Sequence, residues 1–258
     1  MTGRLRSIAF NTFREAVRDR VLYNLIVFAL LLIGSSLVMG QISIGIEKIV
    51  LVNLSLTAIS IFGVVIAIFI GIGLVSKEID KKTLYTVLAR PVRRWEFIVG
   101  KFAGLIGTLT VNAGLMAVGF FAALLIEQHN FVRTDVYLLA ALYFILLEFV
   151  IVTAVAVLFS SFSTPLFSTI FSFALFAVGT FGDDLRGFAA TTSGLTKIGL
   201  TAAAYIVPNL SSFNVISLVA HDQPVMGRLI VMNSIYALCY SALVIAGAVL
   251  IFDRRNLK

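Results

Sequence analysis

The stretch Ile49 to Val75 reads IVLVNLSLTAISIFGVVIAIFIGIGLV, 27 residues without an Asp, Glu, Lys, Arg or His. A helix of about 20 apolar residues crosses a hydrocarbon core of about 30 Å, so this run is long enough to cross with residues to spare. Its apolar residues do not alternate with polar ones, as a membrane-barrel strand would require. In lipid the backbone must satisfy its own hydrogen bonds, which leaves a helix. Working outward, five more runs have the same character: Val21 to Gly40, Phe102 to Ile126, Val136 to Phe159, Leu166 to Gly182 and Leu229 to Phe252. The six cover 137 of the 258 residues and hold a single Asp, Glu, Lys or Arg, Glu148. The fold class is therefore all-α and polytopic: one membrane domain over 1–258 with six transmembrane helices.

Composition agrees. The chain is 60% apolar and 13% charged, against about 45–50% and about 25% in soluble domains, which excludes an ordinary soluble enzyme. One cysteine, Cys239, excludes a disulfide framework and a cysteine-rich metal site. The formal charge of +7 would suit nucleic acid in a soluble protein, but here its position decides. Fifteen of the 20 Lys and Arg fall before the first run, between the second and third, or after the sixth. Short basic loops stay in the cytoplasm, so both termini are expected there. The short fifth run is separated from the fourth only by Ser160 to Pro165, and Pro165 with its serine neighbours favours a break. The first run follows 20 residues, exceeds the usual length of a signal peptide's apolar region and has no clear A-x-A site, so it reads as a retained anchor.

Three segments outside the runs carry information. Residues 4–20 place Leu5, Ile8, Ala9, Phe13, Ala16 and Val17 at helical spacing with arginines mostly opposite, the pattern of a basic amphipathic helix lying in the membrane interface. Lipid phosphates and a protein partner are both compatible with it. In the loop 76–101, Leu84, Val87 and Leu88 lie at i, i+3 and i+4 ahead of Pro91, so a short helix there presents one apolar face to headgroups or to a cytosolic protein. The loop 183–228 is too apolar for free coil, especially over Leu195 to Val207, and reads as one or two short outer-side helices broken at Pro208 and Pro224.

Within the loop 76–101, the order Glu78, Thr83-Leu84, Leu88, Pro91, Arg93-Arg94 and Gly100-Lys101 resembles the signature of ABC-2-type transporter permeases. The likeness is strongest to the multi-copper enzyme maturation (nitrous-oxide reductase maturation) branch. Arg14-Glu15-Ala16, Arg18 to Tyr23, Pro208-Asn209-Leu210 and Phe213-Asn214 fit that branch too. Lys82 stands where a glycine often precedes the threonine. The resemblance implies a permease subunit, an exporter, in a bacterial or archaeal cytoplasmic membrane. It also implies a cytosolic coupling helix within 79–94 that docks a separate ABC ATP-binding subunit carrying ATP and Mg, and a second permease copy as homodimer or heterodimer. The coupling set would be Glu78, Thr83, Leu84, Leu88, Pro91, Arg93 and Arg94.

The residues themselves show no nucleotide chemistry. Gly100-Lys101 lacks the P-loop glycine five residues earlier, and Gly71-Ile72-Gly73 lacks the third glycine of a dinucleotide fingerprint. His129 and His221 lie in different outer loops, and Met39, Met116, Met226 and Met232 form no cluster, so no metal site is expected and copper is not indicated as cargo. Small residues recur at Gly63, Ala67 and Gly71 and at Gly100 and Gly104, with Thr108 and Asn112 continuing the second row. Such rows let helices approach closely, within one subunit, along a transport path or at a dimer seam. An intramembrane charge marks a functional site by default, yet a Glu bonded to a Ser or Thr of a neighbouring helix is a structural solution as well. Glu148 thus leaves open two other classes: an ion-coupled carrier or channel, although no internal repeat is evident, and an intramembrane enzyme, for which further clustered groups are missing.

Overall fold

A computed structural model of the chain describes residues 2–80, 94–130, 132–191 and 194–254. Among them every regular element is helical and there is no strand. The helices are α1 (Thr2–Val17), α2 (Arg20–Ile42), α3 (Glu47–Asp80), α4 (Arg94–Gln128), α5 (Val136–Phe162), α6 (Pro165–Thr180), α7 (Gly182–Thr191), α8 (Leu195–Ile206), α9 (Ile216–Ala220) and α10 (Gly227–Arg254). Five of them, α2, α3, α4, α5 and α10, are long and apolar enough to cross a membrane, and α6 with α7 forms a sixth, bent pair.

Local chemistry sets the breaks. Asp19 caps α2 by accepting the Val21 amide at 3.0 Å, supplying one of the acceptors a helix start lacks. Gly45, at φ 86°, makes the left-handed turn between α2 and α3, and Glu47 Oε1 accepts its amide at 2.8 Å. Thr164 is extended and Pro165 opens α6, where proline's missing N–H and fixed φ do no harm. The fourth and fifth runs are thus separate helices.

Two sequence expectations need correction. The helices overrun the apolar stretches: α3 continues to Asp80 and α4 begins at Arg94, so the connection expected over 76–101 is confined to 81–93, outside the described residues. Apolarity marks where lipid is, whereas Ser76 to Asp80 and Arg94 to Lys101 contain good helix formers that extend the helices beyond it. Next, the fifth span is not one helix over 166–182, because α6 ends at Thr180 and α7 departs at 64°. Beyond this bent pair the loop holds two short α-helices, α8 and α9.

Helices α3 and α5 form the centre. Each buries 61% of its apolar window, against 28% for α2 and 33% for α10. Their contact is made close by small residues. A Cβ on Gly63 would fall 1.8 Å from the Phe149 ring, and one on Gly71 would fall 3.2 Å from the Ala156 Cβ. Hydrocarbon gives helices no hydrophobic reason to associate, so such van der Waals approach does that work. The periphery exposes large apolar side chains, among them Phe28 and Leu31 on α2 and Leu238, Leu243 and Leu250 on α10, as lipid contact requires.

Contacts fix which ends lie together. Phe97 at the start of α4 stacks on Phe252 at the end of α10, centroids 6.1 Å apart, and α1 packs on α4, so both chain ends share one end of the bundle, called the near end here. At the far end, Lys48 after the α2–α3 hairpin pairs with Asp135 at 3.0 Å and Asp222 at 2.6 Å. Ser160 donates to Ile72 O at 3.3 Å towards the near end. The chain therefore travels from near to far between residues 163 and 222, and the fifth crossing exists although its helix is bent.

Candidate functional site

The elements that flank 81–93 converge at the near end. Glu78 lies in the last turns of α3 and Arg94 opens α4. Thr83, Leu84, Leu88, Pro91 and Arg93, with most of the coupling segment, lie outside the described residues. Directly after it, α4 buries Glu96 and Lys101, and the Lys101 ammonium sits 5.4 Å from the Phe97 ring centroid, a favourable cation–π arrangement.

Helix α1 fills the adjacent surface. A Cβ on Gly100 would come within 2.7 Å of Ile8 Cγ2, and one on Gly104 within 2.5 Å of the Ala9 carbonyl and 2.7 Å of Thr12 Cβ. Thr12 and Ala16 are buried. The apolar face expected to rest in lipid is thus seated on protein, because the third span offers two glycines where side chains would otherwise hold α1 away. The opposite face remains outward: Arg6 and Arg18 are exposed, and Phe10 is 60% exposed with the Arg14 guanidinium 5.5 Å over its ring. Of the two small-residue rows, Gly63, the buried Ala67 and Gly71 lie on α3, with Gly63 and Gly71 against α5, whereas Gly100 and Gly104 receive α1.

Glu148 lies midway along α5. Its Oε2 accepts the Ser60 hydroxyl of α3 at 2.9 Å, and the pair is half-buried. This places a hydroxyl of a neighbouring helix on the one carboxyl of the apolar runs.

Two constellations escaped the sequence. At the far end Asp135 is buried, takes the Val132 amide on Oδ2 at 2.8 Å and faces Lys48 with Oδ1. Asp222 is 43% exposed and adopts φ 56°. Partial burial works against its charge, but hydrogen bonds from Lys48 and Thr134 outweigh this and hold its carboxyl below the ordinary value. Lys48 was readable as one of few basic residues on that side; its partners, 87 and 174 positions away, were not.

The second constellation is built from Pro208-Asn209-Leu210, quoted above only for its family likeness. The Asn209 amide hydrogen goes to the Tyr236 hydroxyl at 2.9 Å and its Nδ2 to Asp183 at 3.2 Å, while its Oδ1 accepts from Ser211. Leu210 N donates to Gly179 O at 3.0 Å. Side chains at Gly179 or Gly182 would meet Pro208 O at 2.7 Å or Asn209 Oδ1 at 2.6 Å. The segment thus straps the α6–α7 bend to α10. Tyr236 is nine residues into α10, about 13 Å from its start.

Over residues 6–257 the sequence matches the family described as ABC-2 family transporter protein. The chain belongs to the ABC-2 transporter family. Members are membrane components of transporters, so this ABC-2 chain is a multi-pass membrane protein whose family implies an ATP-binding partner subunit. No curated protein matches the chain.

Proposed function

We propose that this chain is the permease subunit of an ATP-driven exporter. A separate ABC ATP-binding subunit, holding ATP and Mg, docks on the segment 79–94, and two permease copies enclose the path. The observation that carries the reading is the family match over nearly the whole chain. The seating of α1 on α4 beside this segment supports it, because a docked ATPase would then push on an element already keyed to the third span. Closure of paired ATPases on nucleotide would reach the membrane as rigid-body motion. In this reading Glu78 is the acidic residue at the end of α3, Thr83, Leu84, Leu88 and Pro91 shape the docking helix, and Arg93 and Arg94 meet the ATPase or lipid phosphate. The near end and both termini are cytoplasmic, as the distribution of basic residues supports. The likeness to the multi-copper maturation branch is part of the proposal, without copper as cargo.

The test is co-purification with candidate ATP-binding proteins and the ATPase rate of the complex, wild type beside Glu78→Arg and Arg93→Glu/Arg94→Glu. Association lost or reduced at least tenfold in the variants is the expected result. Normal association and normal coupling in both variants would remove the docking assignment, and no association of the wild type with any ATPase would remove the ABC reading.

A further inference from the structure

Glu148 and Ser60 occupy the middles of their spans: Ser60 is the central residue of Glu47–Gly73, and Glu148 lies at the centre of Arg133–Phe162. A charged group is costly at this depth, and such residues face a bundle interior or a wet cavity rather than lipid. A purely structural carboxyl is expected to be enclosed with both oxygens bonded. Glu148 is instead half-buried. Ser60 bonds one oxygen, and the other carries no hydrogen bond among the described residues. The hydroxyl beside it also belongs to a row. Asn53, Thr57 and Ser60 lie at i, i+4 and i+7 on α3, with Asn53 and Ser60 half-buried and Thr57 exposed. Asn53 turns its Nδ2 back to Ile49 O at 2.9 Å. The flanking positions Leu54 and Ile61 are apolar and exposed. The row thus presents its polar side chains partly open at mid-membrane depth.

We propose that Glu148, Ser60, Thr57 and Asn53 form a mid-membrane binding site for an organic monocation moved by the transporter. The row spans about 10 Å along the helix at about 1.5 Å per residue, too far for its oxygens to converge on one inorganic ion. A single carboxyl at the end of an extended polar track with apolar flanks would, on ionising against its ligand, match one positive charge on a largely apolar body. This names a substrate class and rests on the permease reading above.

The test uses the full chain in phosphatidylcholine nanodiscs with tetraphenylphosphonium as probe, measured by equilibrium dialysis against protein-free nanodiscs. Saturable binding of one probe per chain is expected, at least tenfold weaker in Glu148→Gln and several-fold weaker in Thr57→Val. Tetraphenylborate, of the same shape and opposite charge, should show no component that depends on Glu148. Melting temperatures separate a binding effect from a folding one. If Glu148→Gln does not fold, Thr57→Val, an exposed position, decides. Probe affinity unchanged in the variant that folds, or no saturable binding by the wild type, overturns the site. ATPase association without probe binding removes this site alone; saturable Glu148-dependent binding by a chain that associates with no ATPase removes the ABC reading and leaves the site standing.

Discussion

Lys48 holds two carboxylates of unequal standing, and the inequality is measurable. Asp135 is buried and Asp222 is 43% exposed. Breaking a buried ion pair by removing one partner leaves an uncompensated charge and is the costly case, whereas an exposed pair contributes little. Lys48→Met, which strands Asp135, should therefore lower the melting temperature in detergent by clearly more than Asp222→Asn, which leaves the Lys48–Asp135 pair in place. Equal effects would mean that Asp135 does not depend on Lys48. The contribution of Asp222 also has a defined pH window. Its folded-state value lies below the ordinary 3.8, so the stabilisation is fully present above that value and disappears as pH falls through the lowered one. The melting-temperature gap between wild type and Asp222→Asn should narrow in acid below about pH 4; a gap independent of pH would mean that the pairing does not stabilise the fold.

At the scale of elements, Gly104 decides whether α1 stays on the bundle. A Cβ there would press on the Ala9 carbonyl, which is backbone and cannot rotate away. Gly104→Leu should displace α1 while the spans remain folded. The readout is faster proteolysis at Arg18, at the α1–α2 junction, without loss of helix content. Unchanged protection would show that α1 does not need this seat. The sequence displayed the glycine spacing and the amphipathic pattern separately, but not that one was the socket of the other. Spacing announces that something small is wanted on a face; which element arrives is settled by packing. The spans were legible for a simpler reason, since each is a local run whose length is set by the bilayer. The α6–α7 bend was hidden because its contacts are distant: residues 208–210 pack against Gly179 and Gly182, and a local reading of Leu166 to Gly182 finds no charge and no proline to mark a break. The Lys48 cluster was hidden likewise, by separations of up to 174 residues.

For the molecule as a whole, the decisive question is which end faces the cytoplasm. Fifteen of the 20 Lys and Arg belong to the N-terminal segment, the 76–101 connection and the C-terminal tail, and the contacts at Gly100, Gly104 and Phe252 bring the N-terminal helix, the start of α4 and the end of α10 to one end. Positive residues resist translocation in short loops, so this end should be cytoplasmic. Two positions report it well: Ile44, 91% exposed in the far-end hairpin, and Ser7, exposed on α1. In a Cys239→Ser background, Ile44→Cys should react with a membrane-impermeant thiol reagent on intact cells, whereas Ser7→Cys should react only after permeabilisation. The reverse pattern would invert the topology. It would also place the 81–93 connection on the side without ATP, where no nucleotide-driven partner could dock. The labelling experiment thus bears on the energy source as well as on the map, because the docking proposed for the connection between α3 and α4 requires that connection to meet cytosol.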